Sequence, residues 1–198
     1  MKTLNTYITE WKANLDTISY IDKKNLQYFV YEIDKPMNIR IMSNYWSEYH
    51  KYRNNVYIDG KNIKLDNYGV TYVKFNPGTY YVEIKDINGL KSYNNMFAYC
   101  DQLVFVPLFN TSNAISMNYM FENCNKLKQV PLFDTSNVES MFYMFEYCES
   151  LEDVPLFNIQ KTEIVIMTKM FLGCDSLNKK TKREWSKVYD FEKDDKKI

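Results

Sequence analysis

Four cysteines recur at regular distances, Cys100, Cys124, Cys148 and Cys174, and evenly spaced thiols raise two chemistries, metal ligation and disulfide formation. Zinc sites place two ligands within about two to four residues of each other, whereas the closest cysteines here are 24 residues apart. If equivalent cysteines sit on stacked helices, their Cα atoms lie about 9 to 10 Å apart, beyond the roughly 7 Å that a disulfide spans. The expectation is therefore buried, reduced thiols serving as small apolar groups, with no metal and no cofactor. The one histidine, His50, falls in Tyr45-Trp46-Ser47-Glu48-Tyr49-His50-Lys51-Tyr52-Arg53. A Cys/His or Ser/His nucleophile would need that imidazole, and nothing in the sequence sets a partner beside it, so it reads as a surface or packing residue. The adjacent Glu152 and Asp153 point to a solvated face rather than to general acid–base work, and the five glycines form no phosphate loop. These residues predict a protein that is not an enzyme.

The elements that must position the cysteines repeat with them. Met96-Phe97, Cys100, Leu103 and Val106-Pro107-Leu108-Phe109 return 24 residues later from Met120 to Phe133, and again from Met144 to Phe157. A partial fourth copy, Met170-Phe171, Cys174 and Leu177, follows a spacing of 26. A fixed period of this length is the signature of a solenoid. Within a unit, Met117, Met120, Phe121 and Cys124 fall at i, i+3, i+4 and i+7, which predicts a short helix, as do Met141, Met144, Phe145 and Cys148. Leu127, Val130 and Leu132 shift toward alternation and predict a short strand. Ser136 with Glu139 fits a capping box in the loop Asp134-Thr135-Ser136-Asn137, and Thr111-Ser112-Asn113 fills the same role in the preceding repeat. Such short helices are marginal alone and must stack, with caps at both ends. A polar run from Asn178 to Arg183 followed by Trp185, Val188 and Tyr189 at i, i+3 and i+4 predicts a closing amphipathic helix, and Glu192 to Ile198 a frayed tail.

The string Met-x-x-Met-Phe-x-x-Cys-x-x-Leu-x-x-Val-Pro-Leu-Phe-Asp-Thr-Ser-Asn-Val resembles the BspA-like leucine-rich repeats of bacterial surface proteins, of mycoplasma proteins and of some bacteriophage proteins. The resemblance covers residues 91 to 177 and leaves the first ninety outside it. It implies a binding or scaffolding repeat with no catalytic residues of its own. The chain departs from many surface members in having only three full repeats.

Residues 1–90 carry a different pattern. Residues 28–33, 38–42, 55–58, 69–75 and 79–84 are rich in β-branched and aromatic side chains, with turn signals at Asp59-Gly60 and Asn76-Pro77-Gly78. They predict a small antiparallel β unit, preceded by an amphipathic helix on Leu4, Ile8, Trp11 and Leu15. The expected fold class is thus α+β: a short leucine-rich-repeat-type solenoid capped by an N-terminal helix and β unit and by a C-terminal helix. The expected divisions are 1–90, 91–177 and 178–198.

Charge and composition narrow the partners. The chain has 198 residues, 45% hydrophobic and 17% aromatic, and zero formal net charge. Residues 91–177 hold ten acidic and five basic side chains, which argues against nucleic acid as a ligand. No apolar run reaches the roughly 18 residues of a membrane span, and the start lacks a signal-peptide core, so the chain as written reads as cytoplasmic unless a virion carries it.

Two features offer a binding surface. The repeated Val-Pro-Leu-Phe would expose ladders of Pro107, Pro131 and Pro155 and of Phe109, Phe133 and Phe157 if alternation holds, or pack the phenylalanines inward if the chain turns back. Shared apolar identity marks packing, so the varying positions Phe105, Gln129 and Asp153 are the contact candidates. The second feature is the cluster Tyr45, Trp46, Tyr49 and Tyr52, which would stack on a sugar or partner or else cover the β core. The leading expectation is a non-enzymatic module binding another protein. The alternatives are a structural or decoration subunit of a phage particle, docked to virion subunits, and a carbohydrate or host-surface adhesin.

Overall fold

The aromatic and β-branched runs of the N-terminal half pair into one sheet, and the repeats hang from its edge. The structure is a computed structural model describing residues 28–159 and 165–194; the predicted helix on Leu4 to Leu15 lies outside the described residues. Strands β1 (Phe29–Ile33), β2 (Val56–Ile58), β3 (Lys61–Asn62), β4 (Gly78–Ile84) and β5 (Leu103–Phe105) form a sheet of order β3-β2-β4-β1-β5. Every pairing is antiparallel, with Val30 opposite Tyr81, Tyr57 opposite Glu83 and Val30 opposite Phe105. Asp59 and Gly60 close the β2–β3 hairpin with φ of 49° and 76°, the two positive values that a two-residue primed turn needs to match strand twist. The predicted strands at 38–42 and 69–75 contribute only isolated bridges, Met37 with Phe75 and Arg40 with Val70. β5 lies within the repeats, so the sheet crosses residue 90.

Helix is scarce: α1 (Tyr49–Tyr52), α2 (Lys179–Trp185) and α3 (Phe191–Asp194) are short. This corrects the expected fold class. The regular structure is a small, open, five-stranded antiparallel sheet, and the helix-capped repeat solenoid is not present among the described residues, whose C-terminal helix is only the short α2. The segments predicted as repeat helices are overlapping tight turns. Met120, Glu122 and Cys124 donate their N–H groups three residues back, to Met117, Tyr119 and Phe121, whereas an α-helix bonds four back. The intervening residues turn outward: Met117, Tyr119, Phe121 and Asn123 donate to the carbonyls of Ser140, Phe142, Met144 and Glu146 at 2.8–2.9 Å. The same pattern joins Tyr93, Asn95, Phe97 and Tyr99 to the turns 23 residues on, and Met141, Tyr143, Phe145 and Tyr147 to Ile166, Thr168, Met170 and Leu172.

Side chains reinforce this ladder of turns. Phe97, Phe121, Phe145 and Phe171 stack nearly parallel, with centroids 5.6, 5.6 and 5.7 Å apart. Phe133 and Phe157 are buried beside them, so the phenylalanines of Val-Pro-Leu-Phe turn back into the core. Pro107 and Pro131 are buried too. In place of the predicted capping box, Asp134 accepts the Ser136 N–H in an Asx turn, and Thr135 donates to the Asn158 carbonyl of the next loop. Both ends of the ladder are covered. Ser43 donates to the Met96 carbonyl, and the Trp46 indole to Ser92, in front of the first turn. Behind the last turn, Trp185, Tyr189 and Phe191 pack on Phe171. α2 stops at Trp185 and leaves Val188 exposed, so the closing helix is shorter than its i, i+3, i+4 stripe predicted.

The stacked column sets an energetic expectation. Phe121→Ala should lower unfolding free energy by about 3 to 5 kcal/mol, against under about 1 kcal/mol for the half-buried Phe142→Ala; urea titration of both variants checks it, and equal losses would contradict a load borne by the inner column.

Candidate functional site

The turns expose a face whose backbone is unusual. Two residues in every rung have positive φ, four apart: Asn95 and Tyr99, Tyr119 and Asn123, Tyr143 and Tyr147, Lys169 and Gly173, with φ between 54° and 74°. The alternation of inward and outward N–H groups requires these left-handed steps, because a continuous right-handed run would return to helical bonding. Glycine and asparagine adopt such angles cheaply. Tyrosine does not, yet it fills four of the eight positions.

These tyrosines build a surface. The rings of Tyr119 and Tyr143 stack face to face, 5.2 Å apart and 5° from parallel, with Phe142 edge-on to both. Tyr99 and Tyr147 are exposed, at 44% and 46%. Between them lie two carboxylates, Glu122 and Glu146. The Tyr99 hydroxyl donates to Glu122 Oε1 at 2.9 Å, and this bond, with burial, raises the phenol to about 12. Burial lifts the Glu146 carboxyl above its ordinary 4.5, Glu122 adds to the rise, and Lys169 opposes it. The Lys169 ammonium sits 5.7 Å from the Tyr143 ring centroid, within cation–π reach. A shallow groove of about 350 Å³ adjoins the ladder at Tyr99, with Asn38, Arg40, Asp101 and Asn123 on its walls.

The thiols face the other way. All four cysteines are reduced and buried. Cys124, Cys148 and Cys174 donate their S–H groups to the carbonyls of Phe97, Phe121 and Phe145 at 3.1, 2.9 and 2.9 Å, one rung back. Burial pushes the Cys100, Cys124 and Cys148 thiols well above their usual value. Hydrogen-bonded rungs are about 4.8 Å apart rather than the 9 to 10 Å expected of stacked helices, so it is the inward aim of each S–H at a carbonyl, not distance, that keeps the thiols apart. Among the described residues no group of three or more His, Cys, Asp or Glu is arranged to hold a metal, and no helix is long and apolar enough to cross a membrane.

Of the contact candidates read from sequence, only Gln129 and Asp153 are brought together. Phe105 is buried in β5 against β1. Gln129 and Asp153 are neighbours through a parallel bridge, and Asp153 accepts a 2.6 Å hydrogen bond from Thr181 at the start of α2. Trp46 and Tyr49 are core residues, the former stacked on Tyr52 5.1 Å away, while Tyr45 stands 68% exposed. Sequence reasoning missed Tyr99, Tyr119, Tyr143, Tyr147, Glu122 and Glu146. They occupy the "x" positions of the Met-x-x-Met-Phe-x-x-Cys unit, and the interchange of Tyr with Asn and Gly there was the available signal.

A ladder of hydrogen-bonded turns attached to an antiparallel sheet is the class of protein these observations define. Residues 82–194, more than half of the chain, match the family described as "Mycoplasma protein of unknown function, DUF285", and the protein belongs to that family. Comparison with curated proteins and with solved structures returned no match.

Two outcomes follow from the site. In the native protein a thiol reagent should modify none of the four cysteines, and all four after unfolding; rapid modification of even one native thiol would contradict their burial. Glu146 binds its proton more tightly folded than unfolded, so its contribution to stability is present at low pH and is lost as pH rises through the folded value. Glu146→Gln should therefore raise the urea midpoint near pH 7 and match the parent near about pH 3.5; a lower midpoint at neutral pH would show that the carboxylate is compensated.

Proposed function

We propose that the protein is a non-enzymatic interaction module that recognises another protein through Tyr99, Tyr119, Tyr143 and Tyr147 together with Glu122 and Glu146. One observation carries the reading: tyrosine stands at four of the eight left-handed backbone positions, where the remaining four are two asparagines, a glycine and a lysine. Each such tyrosine costs on the order of 1 kcal/mol of backbone strain, and local strain of this kind concentrates where side chains are needed for function. The rings are held on a backbone whose hydrogen bonds run from rung to rung, so little ordering entropy is left to lose on binding. Tyrosine supplies large, rigid contact area with a polar tip, which suits protein surfaces. The resemblance of residues 91–177 to BspA-like repeats agrees with a binding role.

The test uses the strain itself. In Tyr119→Asn/Tyr143→Asn each ring is replaced by the residue found at Asn95 and Asn123, so the fold should keep or gain thermal stability. Affinity capture from the native source, quantified by mass spectrometry, should recover a protein with the parent chain that drops at least about tenfold with the double variant. Undiminished capture by the variant would remove this face from the interaction.

A further inference from the structure

The chemistry of the partner can be read from the same face. We infer that the partner carries a basic segment whose lysine or arginine side chains seat against the uncovered face of the stacked Tyr119–Tyr143 pair, on the Tyr119 side, and pair with Glu122 and Glu146, an inference that rests on the interaction reading above.

Three observations lead there. First, the chain already places one cation in this setting: Lys169 from the next rung lies 5.7 Å from the Tyr143 centroid and acts on Glu146. The surface thus accommodates an ammonium over a tyrosine face beside a carboxylate. Second, the remainder of the setting is not filled in that way. Glu122 accepts from the Tyr99 hydroxyl, and among the described residues neither Glu122 nor Glu146 has a salt-bridge partner. Glu146 instead feels Glu122 as a like charge. On the side of Tyr119 away from Tyr143, the equivalent rung position is Asn95, too short to cover a phenol ring. Third, residues 91–177 hold ten acidic against five basic side chains, a field that draws cationic segments toward this region of the protein.

Ring faces with carboxylates beside them distinguish this surface from a merely acidic one. A cation over a tyrosine face is attracted by the ring quadrupole, and a flanking carboxylate adds a charge-assisted hydrogen bond. A neutral partner would leave Glu122 and Glu146 desolvated and unpaired. An acidic partner would be repelled.

The experiment uses the full chain and three fluorescein-labelled ten-residue probes, alternating Gly with Lys, Gln or Glu, in fluorescence anisotropy titrations. The lysine probe should bind, more weakly as salt rises, and the glutamine and glutamate probes should not. Its affinity should fall about tenfold in Tyr119→Asn/Tyr143→Asn, which keeps the charge, and about tenfold in Glu122→Gln/Glu146→Gln. Glu149→Gln/Glu152→Gln, which removes the same charge from exposed side chains that are not among the face residues, should stay within about twofold of the parent. Equal weakening by the two glutamate pairs, or indifference to loss of the tyrosines, would reduce the effect to general attraction and overturn the inference. Equal binding of the glutamine probe would overturn it as well. The interaction reading survives those results if tyrosine-dependent capture persists, and both fall if neither the probe nor the captured protein responds to the tyrosine substitutions.

Discussion

Every rung of the ladder has to satisfy the rung before it and the rung after it, and this obligation governs the rest of the structure. In the second repeat the carbonyls of Ser116, Asn118, Met120 and Glu122 accept from the first, while the N–H groups of Met117, Tyr119, Phe121 and Asn123 donate to the third. The remaining groups close turns inside the rung. Buried backbone polar groups must find partners, and here the two directions are allotted to alternate residues. An even period follows, because a change of one residue would exchange donors for acceptors at the contact. The one departure is instructive. The fourth copy is displaced by two further residues, yet Met141, Tyr143, Phe145 and Tyr147 still meet every second carbonyl from Ile166 to Leu172. The extra length therefore lies in the connection, where it does not disturb the register.

The same obligation explains the invariant side chains. With rungs about 4.8 Å apart, equivalent residues must be able to lie directly on themselves. Phenylalanine does so as a nearly parallel column, closed at one end by Phe29 and at the other by Trp185, Tyr189 and Phe191. Cysteine is small enough to fit between columns and carries a weak donor for the Phe carbonyl one rung back. Asn94 and Asn118 repeat the device on the outer side, each accepting from a serine hydroxyl and a backbone N–H of the next rung.

What the sequence made legible was the period and the burial, and what it concealed was the backbone. Met, Phe, Cys and Leu of the Met-Phe-x-x-Cys-x-x-Leu run are buried, as their shared identity suggested, whereas Leu108 of Val-Pro-Leu-Phe is exposed. The spacing i, i+3, i+4, i+7 also suggested a helix, but a chain of overlapping turns advances its buried face with that same spacing. Only the left-handed residues separate the two, and they announce themselves when they are Asn or Gly. At Asn95, Asn123 and Gly173 they do, whereas tyrosine at 99, 119, 143 and 147 hides them. The loops misled for a related reason: Asp134, Thr135 and Ser136 have capping chemistry, and they apply it to Asx turns and to the neighbouring loop instead of a helix end. In the N-terminal half, composition showed strands at β1, β2 and β4. It could not show that residues 38–42 and 69–75 would meet through single bridges, or that Trp46 and Tyr49 would be consumed by the core, because those outcomes depend on contacts distant in sequence.

The concealed positions are also those where the protein has latitude. A rung tolerates any side chain that can accept a left-handed backbone and point away from the column, so selection for stability alone would favour Asn or Gly at all eight sites. The column of Phe97, Phe121, Phe145 and Phe171 is the same residue in every rung, whereas the face changes from rung to rung. The column holds the register and the face presents side chains to solvent. Because the face is mounted on backbone already committed to its neighbours, changing a ring there alters what is presented without altering how the rung is held. That is the physical condition under which a repeat can diversify its surface while conserving its structure. Tyr99, Tyr119, Tyr143 and Tyr147, with Glu122 and Glu146 between them, lie on that face, whereas the strand-side positions Phe105, Gln129 and Asp153 are surrounded by the sheet and the start of α2.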